Sequence, residues 1–84
     1  MEQYLILARS VTYAQRMQKA LGQAGIRCQI SRAPRDVTDL GCAYVVRLDF
    51  RDLAPALVTL HKEGLDPIRI FLEQHGEYRE VMST

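Results

Sequence analysis

The sequence predicts a single α+β domain in which short strands alternate with two helices. Three observations lead to this class. Apolar and polar residues alternate at every second position in three segments, which is typical of half-buried strands. Two other segments repeat apolar residues at three- and four-residue steps, which is typical of one helix face. Glycines or a polar loop separate these segments, so the elements follow one another without a linker.

The first third of the chain predicts a strand, a helix and a second strand. Residues 4–8 form a continuous apolar run, which we interpret as a buried strand. Ser10 suits the N-cap of the helix that follows, and Gly25 suits its end. Alternation then resumes at residues 26–31 and predicts the second strand. The apolar face of the helix consists of Val11, Ala14, Met17, Leu21 and Ala24.

The middle of the chain predicts a long polar loop, a third strand and a second helix. The loop runs from Arg32 to Gly41, and alternation at residues 44–50 predicts the strand after it. Asp49 or Asp52 is expected to cap the second helix, in which Pro55 is tolerated because it falls in the first turn. The buried stripe of this helix consists of Leu53, Leu57 and Leu60, and Gly64 ends it.

The last segments predict a fourth strand and a short fifth one. Ile68, Ile70 and Leu72 alternate with polar or aromatic residues. Gly76 permits a turn, after which residues 78–82 can run back along the sheet.

The order of these elements predicts one ferredoxin-like βαββαβ domain over residues 1–84 with a short extra C-terminal strand. In this layout two helices cover one face of an antiparallel sheet. The other face is expected to have no covering layer and to carry Val45 and Phe71. An exposed apolar patch there would favour a homodimer.

Composition excludes several classes of function. The chain has 11 basic and 10 acidic residues, and this near balance argues against a nucleic-acid-binding protein. No apolar stretch approaches the roughly 20 residues of a membrane span. Two cysteines without a recognisable signal peptide predict a cytoplasmic protein with reduced thiols. His61 and His75 lack metal-ligand spacing, so neither a metal nor a cofactor is predicted.

Cys42 is the main candidate for chemistry. It follows the polar loop and opens the apolar run of residues 43–46. One interpretation is a buried structural thiol. The other is a nucleophilic thiol whose pKa is lowered from about 8.5 by Arg32 or Arg35, with Gly41 leaving room for a substrate.

Cys28 is in phase with the apolar residues of the second strand, so we expect it to pack in the core. A disulfide between Cys28 and Cys42 is not expected. In a regular hairpin the two thiols are offset by roughly three residues at ~3.3 Å each, beyond the ~7 Å limit for a bridge.

From Tyr4 to about Phe71 the chain resembles the putative selenium/sulfur carrier-like family of small bacterial and archaeal proteins, long classed as a domain of unknown function. The resemblance rests on Pro34-Arg35, a short polar loop, and a cysteine that enters a strand ending in Val46-Arg47-Leu48. The family's hallmark places glycine after the cysteine, whereas here Ala43 follows Cys42 and Gly41 precedes it. The loop is also about one residue longer than usual.

The resemblance implies that Cys42 holds a persulfide or selenopersulfide and exchanges it with a donor or acceptor protein. It implies a carrier or thiol-dependent transfer protein more than an enzyme with turnover. Two alternatives stay open: a ferredoxin-like module that binds a small regulatory ligand, with Cys42 structural, and a protein-interaction adaptor. The reactivity of the Cys42 thiol relative to Cys28 separates the first hypothesis from the other two.

Overall fold

The computed structural model describes residues 2–35, 37 and 43–83. A 3₁₀ turn, Phe50–Asp52, joins the third strand to the second helix. The elements in chain order are β1 (Gln3–Ala8), α1 (Val11–Gln23), β2 (Cys28–Arg32), β3 (Tyr44–Asp49), α2 (Leu53–Lys62), β4 (Arg69–Gln74) and β5 (Glu77–Ser83).

The strands form one five-stranded sheet in the order β2-β3-β1-β4-β5, and every neighbouring pair is antiparallel. The predicted α+β class, with an antiparallel sheet and two helices, is confirmed. The sheet is larger than the four strands of a simple βαββαβ layout, because β5 is a full strand at the edge beside β4.

Several predicted boundaries are confirmed and several shift. The Ser10 hydroxyl accepts a hydrogen bond from the Tyr13 amide at 3.1 Å and caps α1 as predicted. Asp49 caps the 3₁₀ turn by accepting from the Arg51 amide at 2.9 Å, whereas Asp52 makes no such bond at α2. The prediction of Phe50 in the third strand is wrong, because this capped turn begins there and leaves its side chain 48% exposed.

The second strand is also shifted. Ile26, predicted within it, lies before β2, while Arg32, predicted in the loop, is its last residue. Ile26 is buried because its amide bonds back to the carbonyl of Leu21 at 2.9 Å, which turns the chain at the end of α1.

Both helices pack on the same face of the sheet, here called the helix-covered face. Ile6 and Val46 from the central strands are fully buried there, as are Leu21 of α1 and Leu60 of α2. The strand alternation and the two helical stripes thus produce one continuous core.

The opposite face, here called the open face, is not bare as expected. Val45 and Phe71 point to it as predicted, but they are buried together with Val37 and Ala43. Val37 reaches the sheet because its amide bonds to the carbonyl of Pro34 at 3.0 Å, forming a turn. The prediction of an uncovered face is therefore wrong, since Val37 of the polar loop and Ala43 pack on part of it.

Among the helices of the described residues, none is long and apolar enough to cross a bilayer.

Candidate functional site

The segment between β2 and β3 is attached to the sheet at both of its described ends. The Ala33 amide donates to the carbonyl of Ala43 at 3.0 Å, which extends the strand ladder by one pair beyond Arg32 and Tyr44. These residues mark what we call the loop end of the sheet, where β1 and β2 finish and β3 begins. The candidate residues Gly41 and Cys42 lie outside the described residues.

The other predicted site residues are all at this loop end. Pro34 is half-buried, and its carbonyl closes the turn that carries Val37. Arg35 is exposed within that turn, and Arg32 is exposed at the last position of β2. Neither arginine forms an ion pair with a carboxylate in the described part of the chain. Their predicted effect on the Cys42 thiol stays a prediction.

Cys28 behaves as the sequence suggests. Its side chain is half-buried against the helix-covered core, and burial raises the pKa of its thiol. Such a thiol is protonated and a poor nucleophile at neutral pH. Cys28 pairs across the strands with Leu48, at the far end of the sheet, where β1 and β2 begin. The predicted separation of the two thiols involves Cys42 and so lies outside the described residues.

A polar cluster on the open face was not predicted. Arg47 donates to Glu73 at 2.8 Å, to Ser31 at 2.9 Å and to Gln3 at 3.4 Å, so its guanidinium links β3 to β4, β2 and β1. The side chains of Arg47 and Glu73 are only 22% and 21% exposed. The pKa of Tyr78 is raised, mainly by its hydrogen bond to Glu73 and to a smaller extent by burial.

The signal for this cluster was present in the strand phase. Arg47 alternates with Val45 on the same face, and Glu73 alternates with Phe71. Arg47 and Glu73 meet only because β1 pairs with both β3 and β4. The local pattern does not show this long-range pairing. We call the set Gln3, Ser31, Arg47, Glu73 and Tyr78 the open-face polar cluster.

The remaining titratable groups suggest no metal centre. His61 pairs with Asp66 at 2.9 Å, and both side chains are exposed. Across residues 2–35, 37 and 43–83, no group of three or more His, Cys, Asp or Glu side chains is arranged to hold a metal ion.

A broad concavity lies at the far end of the sheet. It has a volume of about 1100 Å³, and Gln18, Cys28, Asp49 and Arg51 contribute to its wall. It is therefore at the opposite end from the anchors of the segment that contains Cys42.

Comparison with known proteins decides the family. Residues 3–72 match the family model described as "Putative Se/S carrier protein-like". The chain belongs to this family. The matched range includes Pro34, Arg35, Cys42 and the whole of β3, and it ends before β5. No curated protein and no solved structure gives a significant match to the chain.

Proposed function

We propose that this protein is a sulfur or selenium carrier and that Cys42 is the residue that carries the chalcogen. The observation that supports the proposal most is the family match, which spans the β2–β3 segment together with the strands that hold it. The structure adds two supports. The segment's described ends are fixed to the sheet, and the neighbouring Arg32 and Arg35 have no carboxylate partner among the described residues.

The proposed transfer is a thiolate attack on a persulfide. The Cys42 thiolate attacks the terminal sulfur of a donor persulfide, a new S–S bond forms on Cys42, and the donor's S–S bond breaks. The donor leaves as a thiolate, so no external oxidant or reductant is needed. The reverse reaction, with an acceptor thiolate attacking the outer sulfur, unloads the carrier. A selenopersulfide would follow the same steps with selenium as the outer atom.

The arginines have a defined part in this chemistry. A guanidinium beside a sulfur stabilises the thiolate and lowers its pKa, which raises the fraction of nucleophile at neutral pH. Arg35 is the preferred candidate, because it directly follows Pro34, whose restricted backbone limits the directions in which the turn presents it. Gly41, without a side chain, would leave space for the donor persulfide.

The decisive experiment loads the thiol and locates the added atom. Wild-type protein is mixed with a small-molecule persulfide at neutral pH and followed by intact mass. We expect the mass of one sulfur atom to be added rapidly in wild type and in Cys28→Ser, and slowly or not at all in Cys42→Ser. Equal loading of the two single-cysteine variants would contradict a carrier role for Cys42.

A second experiment tests Arg35. Alkylation of Cys42 is followed as a function of pH in Cys28→Ser and in the same protein with Arg35→Ala. We expect the midpoint to move to higher pH, and one unit would correspond to about 1.4 kcal/mol. Overlapping profiles would show that Arg35 does not tune the thiol, and the same measurement on Arg32→Ala then tests the other loop arginine.

One observation favours a second candidate, a ferredoxin-like module that binds a small regulatory ligand. The concavity at the far end is large enough for a metabolite and has polar walls that include Gln18, Asp49 and Arg51. This function predicts saturable ligand binding that survives Cys42→Ser, whereas the carrier function predicts loading that does not.

A further inference from the structure

Three arginines lie around the start of α1 at the loop end of the sheet. Arg9 follows β1, Arg16 lies on α1, and Arg32 ends β2, and all three are exposed. None of them forms an ion pair with a carboxylate within the described ranges of the chain, in contrast to Arg47, Arg51 and Arg69. We call Arg9, Tyr13, Arg16 and Arg32 the loop-end basic surface.

Tyr13 holds two of these cations in place. The guanidinium carbons of Arg9 and Arg16 lie 5.2 and 5.9 Å from the centroid of its ring. Both distances are within the range of a cation–π interaction. The ring is itself fixed, because Tyr13 packs against the helix-covered core and its amide is bonded to Ser10. The two charges are therefore presented together from a rigid support.

The sheet register places Arg32 near them. Ala8 pairs with Tyr44, and Tyr44 pairs with Arg32, so Ala8 and Arg32 are two strands apart. Two strand spacings are about 10 Å. Arg32 is in phase with Cys28 and Ile30, which pack under the helices. It therefore lies on the same side of the sheet as α1.

Positive charges clustered on one surface attract an anion. The backbone separation of Ala8 and Arg32 is comparable to the Debye length of about 10 Å at 0.1 M salt, so salt does not fully separate the fields of the arginines around them. The first turn of α1 also has no acidic residue. An acidic side chain there would offset the positive end of the helix dipole.

We propose that the loop-end basic surface docks an acidic segment of the protein that donates sulfur to Cys42 or accepts it. This inference rests on the proposed carrier function. Charge complementarity supports an acidic partner, and the surface adjoins Tyr44, which lies two residues after Cys42 in the chain. Nucleic acid is a less suitable partner, since the net charge is only +1. The guanidinium groups of Arg9 and Arg16 also occupy the ring of Tyr13, on which a base would otherwise stack.

The test uses two peptide persulfides of equal length, Glu-Glu-Cys-Glu-Glu and Gln-Gln-Cys-Gln-Gln, as sulfur donors. The donor's persulfide sulfur moves to Cys42 and the peptide leaves as its thiolate, as in the proposed transfer. The measured quantity is the ratio of the acidic to the neutral rate constant, in Cys28→Ser protein at low salt. Arg9→Gln and Arg16→Gln should each lower this ratio about two- to fivefold, as expected for one exposed charge.

Three controls make the result specific. The rate with the neutral donor should not change in Arg9→Gln or Arg16→Gln, because neither residue is assigned a part in the chemistry. Arg27→Gln removes an exposed arginine at the far end and should leave the ratio as in the parent protein. High salt should bring all ratios to one common value. Circular dichroism of each variant checks that the fold is intact.

The outcomes separate the two proposals. Equal ratios in Arg9→Gln, Arg16→Gln and Arg27→Gln, with normal loading by the neutral donor, would overturn the docking surface and leave the carrier function intact. If neither donor loads Cys42, the carrier function fails. Docking is then decided by fluorescence anisotropy of a labelled Glu-Glu-Ser-Glu-Glu peptide on Cys42→Ser protein. Loss of peptide binding in the doubly substituted Arg9→Gln/Arg16→Gln protein supports the docking surface. Unchanged peptide binding in that protein overturns it. Tighter binding of an oligothymidylate than of the peptide also overturns it.

Discussion

The two faces of the sheet differ in the residues that cover them. On the helix-covered face, apolar residues of both helices pack on Ile6, Val46 and Ile70. The open face is divided. An apolar cluster that includes Val37 and Val45 lies toward the loop end, and the open-face polar cluster around Arg47 lies toward the far end.

The two faces are therefore expected to have different roles, one in global stability and the other in holding the segment that contains Cys42. The helix-covered face buries most of the apolar side chains and is expected to supply most of the stability. The apolar part of the open face instead attaches the β2–β3 segment to the sheet through Val37 and Ala43. Changes on one face should therefore affect global unfolding, and changes on the other should affect the segment that contains Cys42.

The largest expected effect comes from neighbouring valines on opposite faces of β3. Val45 and Val46 are both 0% exposed. Val46→Ala should reduce the free energy of unfolding by about 2–3 kcal/mol, because two methyl groups are lost and the helices cannot fill the cavity. Val45→Ala should cost less, since no helix of the described residues packs on that face and its cluster includes the short side chains of Val37 and Ala43. Urea unfolding of both variants measures the difference, and equal costs would mean that the open face is packed as rigidly as the other.

A smaller effect is expected from Val37, which attaches the β2–β3 segment. It is 4% exposed and belongs to the apolar cluster of the open face. Val37→Ala should reduce the free energy of unfolding by about 1 kcal/mol. The amide of Ala33, bonded to Ala43, should exchange its hydrogen faster, while the amide of Ile6 should change only as far as global stability does. An equal increase in the hydrogen-exchange rates of the Ala33 and Ile6 amides would show that the β2–β3 segment does not open separately from the rest of the sheet.

The third prediction concerns the ion pairs of the open face. Arg47–Glu73 is about one-fifth exposed and Arg69–Glu80 about one-third, and both have an N–O distance of 2.8 Å. A double-mutant cycle with Arg47→Met and Glu73→Gln should give a coupling energy of about 1 kcal/mol. The matched cycle with Arg69→Met and Glu80→Gln should give less, because solvent screens the more exposed pair. A larger coupling for the exposed pair would contradict this assignment of burial.

The sequence predicted the helix-covered face better than the open one. Periodicity alone identifies Met17, Leu21 and Leu60 as buried, because each lies on an apolar stripe of its own helix. Local pattern cannot show that Val37, the one valine of a polar loop, folds back on Val45. That contact depends on the Pro34–Val37 turn and on the pairing of distant strands.

The sequence names the candidate site residues but not their arrangement. Cys42 and Arg35 are indicated by their place in or after the polar loop, and Pro34 by the family motif, and neither signal gives geometry. The loop-end basic surface could not be predicted from the sequence, since Arg9 and Arg32 are distant in the chain and come to the same end of the sheet only through the β2-β3-β1 order. Tyr13 packs against the core, and nothing in the local pattern shows that Arg9 and Arg16 lie over its ring.

The smallest expected effect is the ionisation of Tyr78 at alkaline pH, which tests whether the open-face polar cluster acts as a unit. The hydrogen bond to Glu73 raises the pKa of Tyr78 above its usual value of 10.0. A raised pKa means that the unfolded chain loses this proton first, so the associated stability is complete below about pH 10 and disappears as pH rises through the folded pKa. Tyr78→Phe should therefore show a shallower loss of stability above pH 10.

Two substitutions sharpen this prediction, because the neighbours of Tyr78 act in opposite directions. Arg47 lowers the pKa of Tyr78 while Glu73 raises it. Arg47→Met should therefore move the phenolate absorbance transition of Tyr78 to higher pH, and Glu73→Gln should move it to lower pH. The difference spectrum against Tyr78→Phe isolates this residue from the other tyrosines. If both substitutions move the transition in the same direction, the cluster is not the charge-balanced unit that the contacts of Arg47 indicate.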